Sequence, residues 1–395
     1  MVNYSARLMK IAQCLEYPLG LRGGVSVVVE TLATEFAQRG HKIVLVSPDA
    51  PETLRELLSR KIIDQHIHWP AGDYSLTTAT KLAQQLKSAG VDVAHFHAGG
   101  NYGWGIRFPF YSPVFYLHLK GVPILWTSHR AETILDGFCG PQKLLLFKLL
   151  FLPLAWLGKI QQVYCCRFEI AVSQDNLKKL KRWYAPFRSR FVQIYHSRLH
   201  DTPPPSEFAS RERKILTVGH LATAKGQTVL VDAFALIAKS HQDATLLVAG
   251  HDSGDGTSQQ IQKIIQAHGL EKQVCLLGQR DDTSALMRQA KIYVQPSLSE
   301  ALGLALQEAM FYGCAVIGTR TGGIPELVDE GRTGALVTPG NIDELSAALD
   351  RLLRDPLLAE QWGANAANSI RQRQMTVESM ADRYLELYES AATKT

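Results

Sequence analysis

Glu300 and Glu308 stand eight positions apart in PSLSEALGLALQEAMFYGCAVIGTRTGGIPEL, a segment that starts at Pro296 and holds no other charge before Arg320. An ionised carboxylate accepts two hydrogen bonds side by side, which suits the vicinal hydroxyls of a ribose or a sugar ring. Glu308 is flanked by Leu306, Ala309 and Met310, and a glutamate among core-forming residues is rare without a partner. A strand over KIYVQPS and a helix from about Gly303 place Glu300 in the intervening loop and Glu308 about one and a half turns into the helix. Both can then look toward the helix N-terminus, where free backbone N–H groups attract phosphate.

Lys225 precedes Gly226 in a loop between an expected strand and an expected helix. An ammonium there is a point charge for phosphate oxygens, against the alternative of a plain surface lysine. Gly23 and Gly24 sit ahead of a helix, where glycine permits close backbone approach and the helix dipole favours anions. A glycine pair alone is a common turn signal, and its spacing is not the G-x-G-x-x-G of a dehydrogenase. His129 closes the expected strand PILWTS, at the strand end where ligands gather. His95 and His97 alternate on one face of another strand end and read as structural or acceptor-side residues.

These residues need a frame, and the chain repeats strand, helix, strand throughout. RLMKIAQCLE, HKIVLVSP, VDVAHFHA and VPILWTSH are apolar strands; GGVSVVVETLATEFAQRG has helical spacing and ends at Gly40. The pattern restarts at Lys214 with KILTVGH, ATLLVAG, QVCLLGQ, KIYVQPS, CAVIGTR and TGALVTP. Continuous apolar strands between helices mean parallel sheets covered on both faces. HDTPPPSEFASRERK, with three consecutive prolines, is a stiff connector. The expected division is a first domain over 1–197, a linker over 198–212, a second domain over 213–375, and a last helix over 376–395 that packs back on the first domain. Two doubly wound sheets joined in this way are expected to face a cleft, with ligands at the carboxyl ends of the strands. NIDELSAALDRLL carries a capping box from Asn341 to Glu344.

Composition is that of a folded protein, with 46% hydrophobic and 20% charged residues. The net charge of +5 hides an asymmetry: residues 1–200 carry 24 Lys and Arg against 13 Asp and Glu, whereas residues 201–395 carry 18 against 24. The basic half is expected to meet an anion, such as a membrane surface or an acidic acceptor. No nucleic-acid-binding motif accompanies it. Cys14, Cys139, Cys165, Cys166, Cys275 and Cys314 form no C-x-x-C pair, which suits reduced thiols in a cytoplasmic protein. The first residues lack the apolar core of a signal peptide. LLLFKLLFLPLAWLGKI (144–160) is too short and interrupted to span a bilayer. With Lys143, Lys148 and Lys159 around a Leu/Phe/Trp face, it either lies in an anionic membrane interface or packs inside as a helix pair.

The Glu300–Glu308 segment resembles the E-x7-E signature of retaining glycosyltransferase family 4, a group with the GT-B fold. RGGVSVVVETLATEFAQRGHKIVLVSP, VDVAHFH, VPILWTSH, EIAVSQ, ILTVGHLATAKGQTVLVDAF and GGIPELVDEGRTGALVTPGN are similar to the family's other motifs, in order, over nearly the whole chain. The resemblance implies an α/β protein of two Rossmann-like domains, with 1–197 binding the acceptor and 213–375 binding the donor. It implies a metal-independent transferase without a cofactor, moving a sugar from a UDP- or GDP-sugar to a glycan or lipid-linked acceptor, in cell-surface polysaccharide or glycolipid synthesis. By position, Glu308 would bind the donor ribose, Glu300 would lie near the transferred sugar, Lys225 would hold the diphosphate and His129 would sit beside the donor sugar. Gly23, Gly24, Gly303 and Leu304 would turn backbone amides to phosphate. The family's usual Arg is here His220, so a protonated His220 or Arg280 would supply that charge, and Ala301-Leu302-Gly303 replaces the usual Gly-Phe-Gly. Two alternatives stay open: a nucleotide-sugar epimerase on the same fold or, from these departures, a silent sugar-nucleotide-binding subunit.

Overall fold

The computed structural model describes residues 7–19, 23–70, 72–99, 103–105, 109–130, 145–200, 208 and 211–393, with backbone only at 145–152. The chain forms two compact units: Met1–Arg198 together with Val377–Thr395, and Leu199–Thr376. The proline-rich connector expected over 198–212 lies mostly outside the described residues.

In the first unit, strands β1 (Lys10–Leu15), β2 (Lys42–Ser47), β3 (Gln65–His68), β4 (Val93–Ala98), β5 (Ile124–Ser128), β6 (Phe168–Ala171) and β7 (Phe191–Gln193) make one parallel sheet, ordered β3-β2-β1-β4-β5-β6-β7. The order reverses between β1 and β4, the place where such sheets open a crevice at their carboxyl ends. On one face Ala94, Phe96 and Ala98 of β4 join Trp104 and Trp126 in an apolar cluster. The strand's other face carries His95 and His97, both buried, because side chains alternate across a strand.

The helix that covers this second face comes from the far end of the chain. Helix Val377–Thr393 buries Val377, Met380, Ala381, Tyr384, Leu385, Tyr388 and Ala391, the three-and-four spacing of one helix face. Tyr388 meets Phe36 of helix Gly24–Gln38 edge-on, ring centroids 5.6 Å apart. Arg39 pairs with Asp382 and Glu35, and donates to the Glu378 carbonyl at 3.2 Å.

The second unit repeats the plan. Strands β8 (Glu212–Val218), β9 (Thr245–Ala249), β10 (Val274–Gly278), β11 (Ala290–Gln295), β12 (Ala315–Thr319) and β13 (Gly334–Val337) form a parallel sheet ordered β10-β9-β8-β11-β12-β13. Its order reverses between β8 and β11. Leu230, Val231 and Phe234 of helix Gln227–Ile237 pack on Ile215, Leu246, Val248 and Ile292 in the main cluster. Asn341 caps helix Ile342–Arg354: its side chain accepts from Glu344 N, and its amide donates to Glu344 Oε1 at 2.8 Å.

One expectation needs correction. The stretch around 144–160 lies in a single helix, Leu145–Cys165, with Pro153 inside it. Lys143 lies outside the described residues. Lys159 does not flank an interfacial face: it is wholly buried, with Nζ 2.7 Å from Glu169 Oε1, and neither side chain reaches solvent. Ser128 donates to the same oxygen at 2.7 Å, Gln162 donates to Oε2 at 3.4 Å, and the ammonium lies over the Trp126 and Tyr184 rings. An ammonium deep in a protein must be paired, and Glu169 on β6 supplies that partner. Trp156, Leu157 and Tyr164 of the same helix remain exposed. Among the described residues no helix is long and apolar enough to cross a membrane. Cys14, Cys165, Cys166 and Cys314 are buried free thiols, and Cys275 is half-buried and free.

Candidate functional site

Three loops meet at the carboxyl ends of β8, β11 and β12. The turn Thr223–Lys225 follows β8; the Ala224 carbonyl accepts from Leu298 N at 2.9 Å and Ser299 N at 3.2 Å of the loop after β11. That second loop is tied to β12 by Thr319, whose hydroxyl donates to the Ser297 carbonyl at 2.6 Å. Gly323 N donates to the Ala301 carbonyl at 3.1 Å, bringing in the third loop. Two glycines make this lacing feasible. Gly226 has φ +67°, and a Cβ there would stand 2.1 Å from the Pro296 carbonyl oxygen; Gly322 has φ +54°, and a Cβ would stand 1.6 Å from the Glu300 carbonyl oxygen. Backbone approaches of this kind exclude any side chain.

Lys225 and Glu300 flank the switch point between β8 and β11. Lys225 Nζ lies 2.8 Å from Glu300 Oε2, with the lysine side chain 31% and the glutamate 11% exposed. The same carboxylate oxygen accepts from Ser297 Oγ at 3.0 Å and Gln295 Nε2 at 3.2 Å. The Tyr293 hydroxyl has two acceptors in reach of its single proton, Gln295 Oε1 at 2.8 Å and the Val218 carbonyl at 3.2 Å. Glu300 is therefore held by a buried polar network rather than spent on capping a helix. The cap position before helix Leu304–Phe311 is Gly303, with φ +97° and no side-chain cap.

Glu308, the fifth residue of that helix, is 7% exposed. Burial pushes the Tyr293 hydroxyl well above its usual pKa, and the carboxylates of Glu308 and then Glu300 add to the rise, against the hydrogen bond to Val218. Both acids thus act on one buried phenol. Asp255 braces the lysine turn by accepting from Thr223 N and Oγ1 at 2.8 and 3.0 Å. Hydrogen bonds from the Thr257 side chain, then from the Thr223 and Thr257 amides, hold its carboxyl well below the usual range. His220 is exposed, and its carbonyl accepts from Gln227 Nε2 at 2.8 Å. Arg280 is held in a two-pronged pair with Asp282, at 2.8 and 2.7 Å.

The remaining expected residues belong to the first unit. Gly23 precedes helix Gly24–Gln38, and Gly24 is its first residue; neither has a positive φ. His129 follows β5, is 9% exposed, and has Nε2 3.1 Å from His97 Nδ1. His97 Nε2 lies 2.7 Å from Gln13 Oε1. Burial, and then neighbouring imidazoles, lower the pKa of His95, His97 and His129 well below the ordinary value; burial pushes His196 down to about 3. All four imidazoles are therefore neutral at pH 7.

The structure brings Lys225, Glu300, Gly303, Leu304 and Glu308 onto adjoining loop and helix segments of one unit, and His129 and His97 together in the other. Sequence reading missed Ser297, Gln295 and Tyr293, although Gln295 and Ser297 alternate with Pro296 toward Glu300. It also missed Gln13 and Tyr388, whose meeting spans 375 positions.

Residues 201–369 match the family model described as glycosyl transferases group 1, and residues 22–197 match glycosyltransferase family 4. The chain is 27% identical to the phosphatidyl-myo-inositol mannosyltransferase of Mycobacterium leprae over 402 residues, covering 98% of both chains. It is 30% identical to the alpha-D-kanosaminyltransferase of Streptomyces kanamyceticus over 380 residues, covering 86% of this chain and 93% of the relative. Among solved structures, Anabaena Alr3699/HepE in complex with UDP-glucose superposes with TM-score 0.76 at 20% identity, covering 97% of this chain and all of that one. WaaG, a glycosyltransferase involved in lipopolysaccharide biosynthesis, gives TM-score 0.73 at 18% identity over 96% and 99% of the two chains.

Proposed function

The chain belongs to glycosyltransferase family 4, and on that premise we propose that its C-terminal unit grips a nucleotide-sugar donor while its N-terminal unit takes a glycan or lipid-linked acceptor. The observation that carries this reading is the Lys225–Glu300 pair at the sheet's switch point, with Glu308 on the adjoining helix. Lys225 offers protons to the diphosphate, the amides at Gly303 and Leu304 face its oxygens, and Glu308 accepts from the ribose hydroxyls. In the N-terminal unit the family resemblance is the support for a phosphate-side role of Gly23 and Gly24 and a sugar-side role of His129. His220 and Arg280 are the further donor-side cations, although Arg280 must first leave Asp282.

In the reaction the bond between the sugar's anomeric carbon and the diphosphate oxygen breaks, and the acceptor oxygen bonds to the same carbon from the same face. Negative charge grows on the leaving phosphate, where a fixed cation and helix amides stabilise it. That phosphate takes the acceptor's proton, so configuration is retained and no side chain is needed as nucleophile. UDP-glucose is the leading donor because the Anabaena relative was solved with it. The products belong to cell-surface polysaccharide or glycolipid synthesis, beside a membrane. Support for a membrane surface comes from the exposed Trp156, Leu157 and Tyr164 on the helix Leu145–Cys165 and from the basic first half of the chain.

A thermal-shift panel of UDP-, GDP- and ADP-sugars, followed by product analysis with glycan and lipid acceptors, tests the reading. Stabilisation by one donor, its loss in Lys225→Ala, and anomeric retention in the product are expected. Failure of every nucleotide sugar to bind would overturn it. Co-sedimentation with anionic liposomes, weakened in Trp156→Ser/Leu157→Ser, tests the membrane surface; no binding at low salt would remove that part.

A further inference from the structure

Helix Leu304–Phe311 has only eight residues, and so short a helix does not hold itself together in water. Glu308 sits in its last turn. Three backbone bonds close that turn: Tyr312 N to the Glu308 carbonyl at 3.0 Å, Gly313 N to the Met310 carbonyl at 2.9 Å, and Cys314 N to the Ala309 carbonyl at 3.0 Å. With Gly313 at φ +75°, this is the Schellman closure of a helix end. It supplies no donor for the Tyr312 carbonyl.

That donor comes from about a hundred residues back, at the end of the proline-rich connector. Arg211 is 6% exposed and donates from Nη2 to the Tyr312 carbonyl. Its Nη1 donates to the Ala290 carbonyl at 3.0 Å and reaches Cys314 Sγ at 3.8 Å. The guanidinium lies over the Phe208 ring, 5.4 Å from its centroid. These partners are carbonyls, a sulfur and a ring rather than a carboxylate, and the positive charge stands at the negative end of the helix dipole.

Ala290 opens β11, and Tyr312 directly follows the helix. Strand, loop and helix thus form a hairpin with Ser297 and Glu300 in its loop, and one guanidinium bridges its two open ends. A planar fork of N–H groups can serve two carbonyls at once. Unwinding the helix from its C-terminal end breaks that bridge, and Glu308 is the first of the site residues to be released, because its carbonyl is the one the Tyr312 amide holds.

We propose that Arg211 is a positioning residue for Glu308: by bridging the Tyr312 and Ala290 carbonyls it keeps the last helical turn wound, so that the Glu308 carboxylate meets the donor ribose. The last clause rests on the reading of Glu308 given above; the clamp does not. Without Arg211 the Tyr312 carbonyl loses its charged donor, and opening the turn to water becomes the way to satisfy it.

The test is hydrogen exchange of the full-length protein, read by mass spectrometry on peptides covering residues 305–314, in wild type and Arg211→Met. The amides of Tyr312, Gly313 and Cys314 should exchange about tenfold faster in the variant, the scale of a lost hydrogen bond to a charged group, while those of Leu246 and Val248 in β9 change by less. Equal acceleration throughout the unit would make Arg211 a general stabiliser, and unchanged exchange at 312–314 would leave it without effect; either overturns the proposal. Arg211→Lys keeps the charge but not the fork and serves where Arg211→Met does not fold: about threefold faster exchange at the same amides is expected, and exchange equal to wild type overturns the proposal. With the donor selected by thermal shift, Arg211→Met should weaken donor affinity about tenfold on its own and beside Lys225→Ala, but by less than about twofold beside Glu308→Gln. Full additivity with Glu308→Gln overturns the proposal. If exchange quickens at 312–314 alone while donor affinity holds, the clamp stands and the ribose role of Glu308 fails.

Discussion

Mild acid should destabilise the N-terminal unit. Burial depresses the pKa of His95, His97, His129 and His196 in the folded state, His196 to about 3, whereas an unfolded chain titrates its histidines near 6.5. Below that value the unfolded chain binds protons that the folded unit refuses. The stability contributed by keeping these rings neutral is thus present above about pH 6.5 and is lost as pH falls toward the folded pKa values. Each such histidine removes about 1.4 kcal/mol per pH unit. At pH 5.5 the four together remove about 5 kcal/mol relative to neutral pH, which is comparable to the whole stability of a typical domain, about 5–15 kcal/mol.

Tryptophan fluorescence separates the two units, because Trp69, Trp104, Trp126, Trp156 and Trp183 lie in the first and Trp362 alone lies in the second. With a urea dependence of about 2–3 kcal/mol per molar, the fluorescence midpoint should fall by about 2 M between pH 7.5 and pH 5.5. His196→Asn should reduce that fall by about a quarter. A midpoint that moves by less than about 0.3 M across this range would show that the rings are protonated in the folded unit. The stability argument would then be refuted.

Other outcomes follow from the same geometry. Lys225→Ala should lower kcat/KM by about 10²–10³, the effect of removing one preorganised charge-stabilising donor, measured by product formation with saturating acceptor. Glu308→Gln should weaken donor affinity by about tenfold or more, since a hydrogen bond to a charged group contributes about 1.5–3 kcal/mol; calorimetry with the donor checks it. Lys159→Met should destabilise the N-terminal unit by about 3–5 kcal/mol because Glu169 is left buried and unpaired, whereas Lys159→Met/Glu169→Leu should recover much of the loss, as read by urea unfolding. Gly226→Ala should lower the melting temperature and donor affinity together, since its φ of +67° and the Pro296 carbonyl leave no room for a methyl group.

Local patterns carried far in the sequence. Apolar runs such as KIVLVS and KIYVQ announced strands, and a lysine followed by glycine after a strand announced the loop in which Lys225 meets Glu300. Parallel-sheet topology turns such neighbourhoods into predictable geometry, because the loops after adjacent strands must lie side by side. Pairings between distant segments were not legible. An apolar stretch bearing lysines reads as an interfacial helix until Glu169 is known to stand beside Lys159. His95 and His97 read as structural histidines on a strand, and nothing local in VDVAHFHA says that Tyr384 and Tyr388 arrive to complete them. The need for glycine at position 322 is legible only in its contact with the Glu300 backbone.

Because the first unit is assembled from Met1–Arg198 and Val377–Thr395, it stays unfinished throughout most of translation. At about 5–20 residues per second, a ribosome takes roughly 10–40 s to pass from residue 198 to residue 377, and the nascent sheet spends that interval with its imidazoles uncovered. The C-terminal unit is contiguous and can mature as it emerges. A stalled or prematurely terminated polypeptide would therefore carry a finished C-terminal unit and an incomplete N-terminal one, the latter marked for chaperones by the polar face that the last helix normally seals.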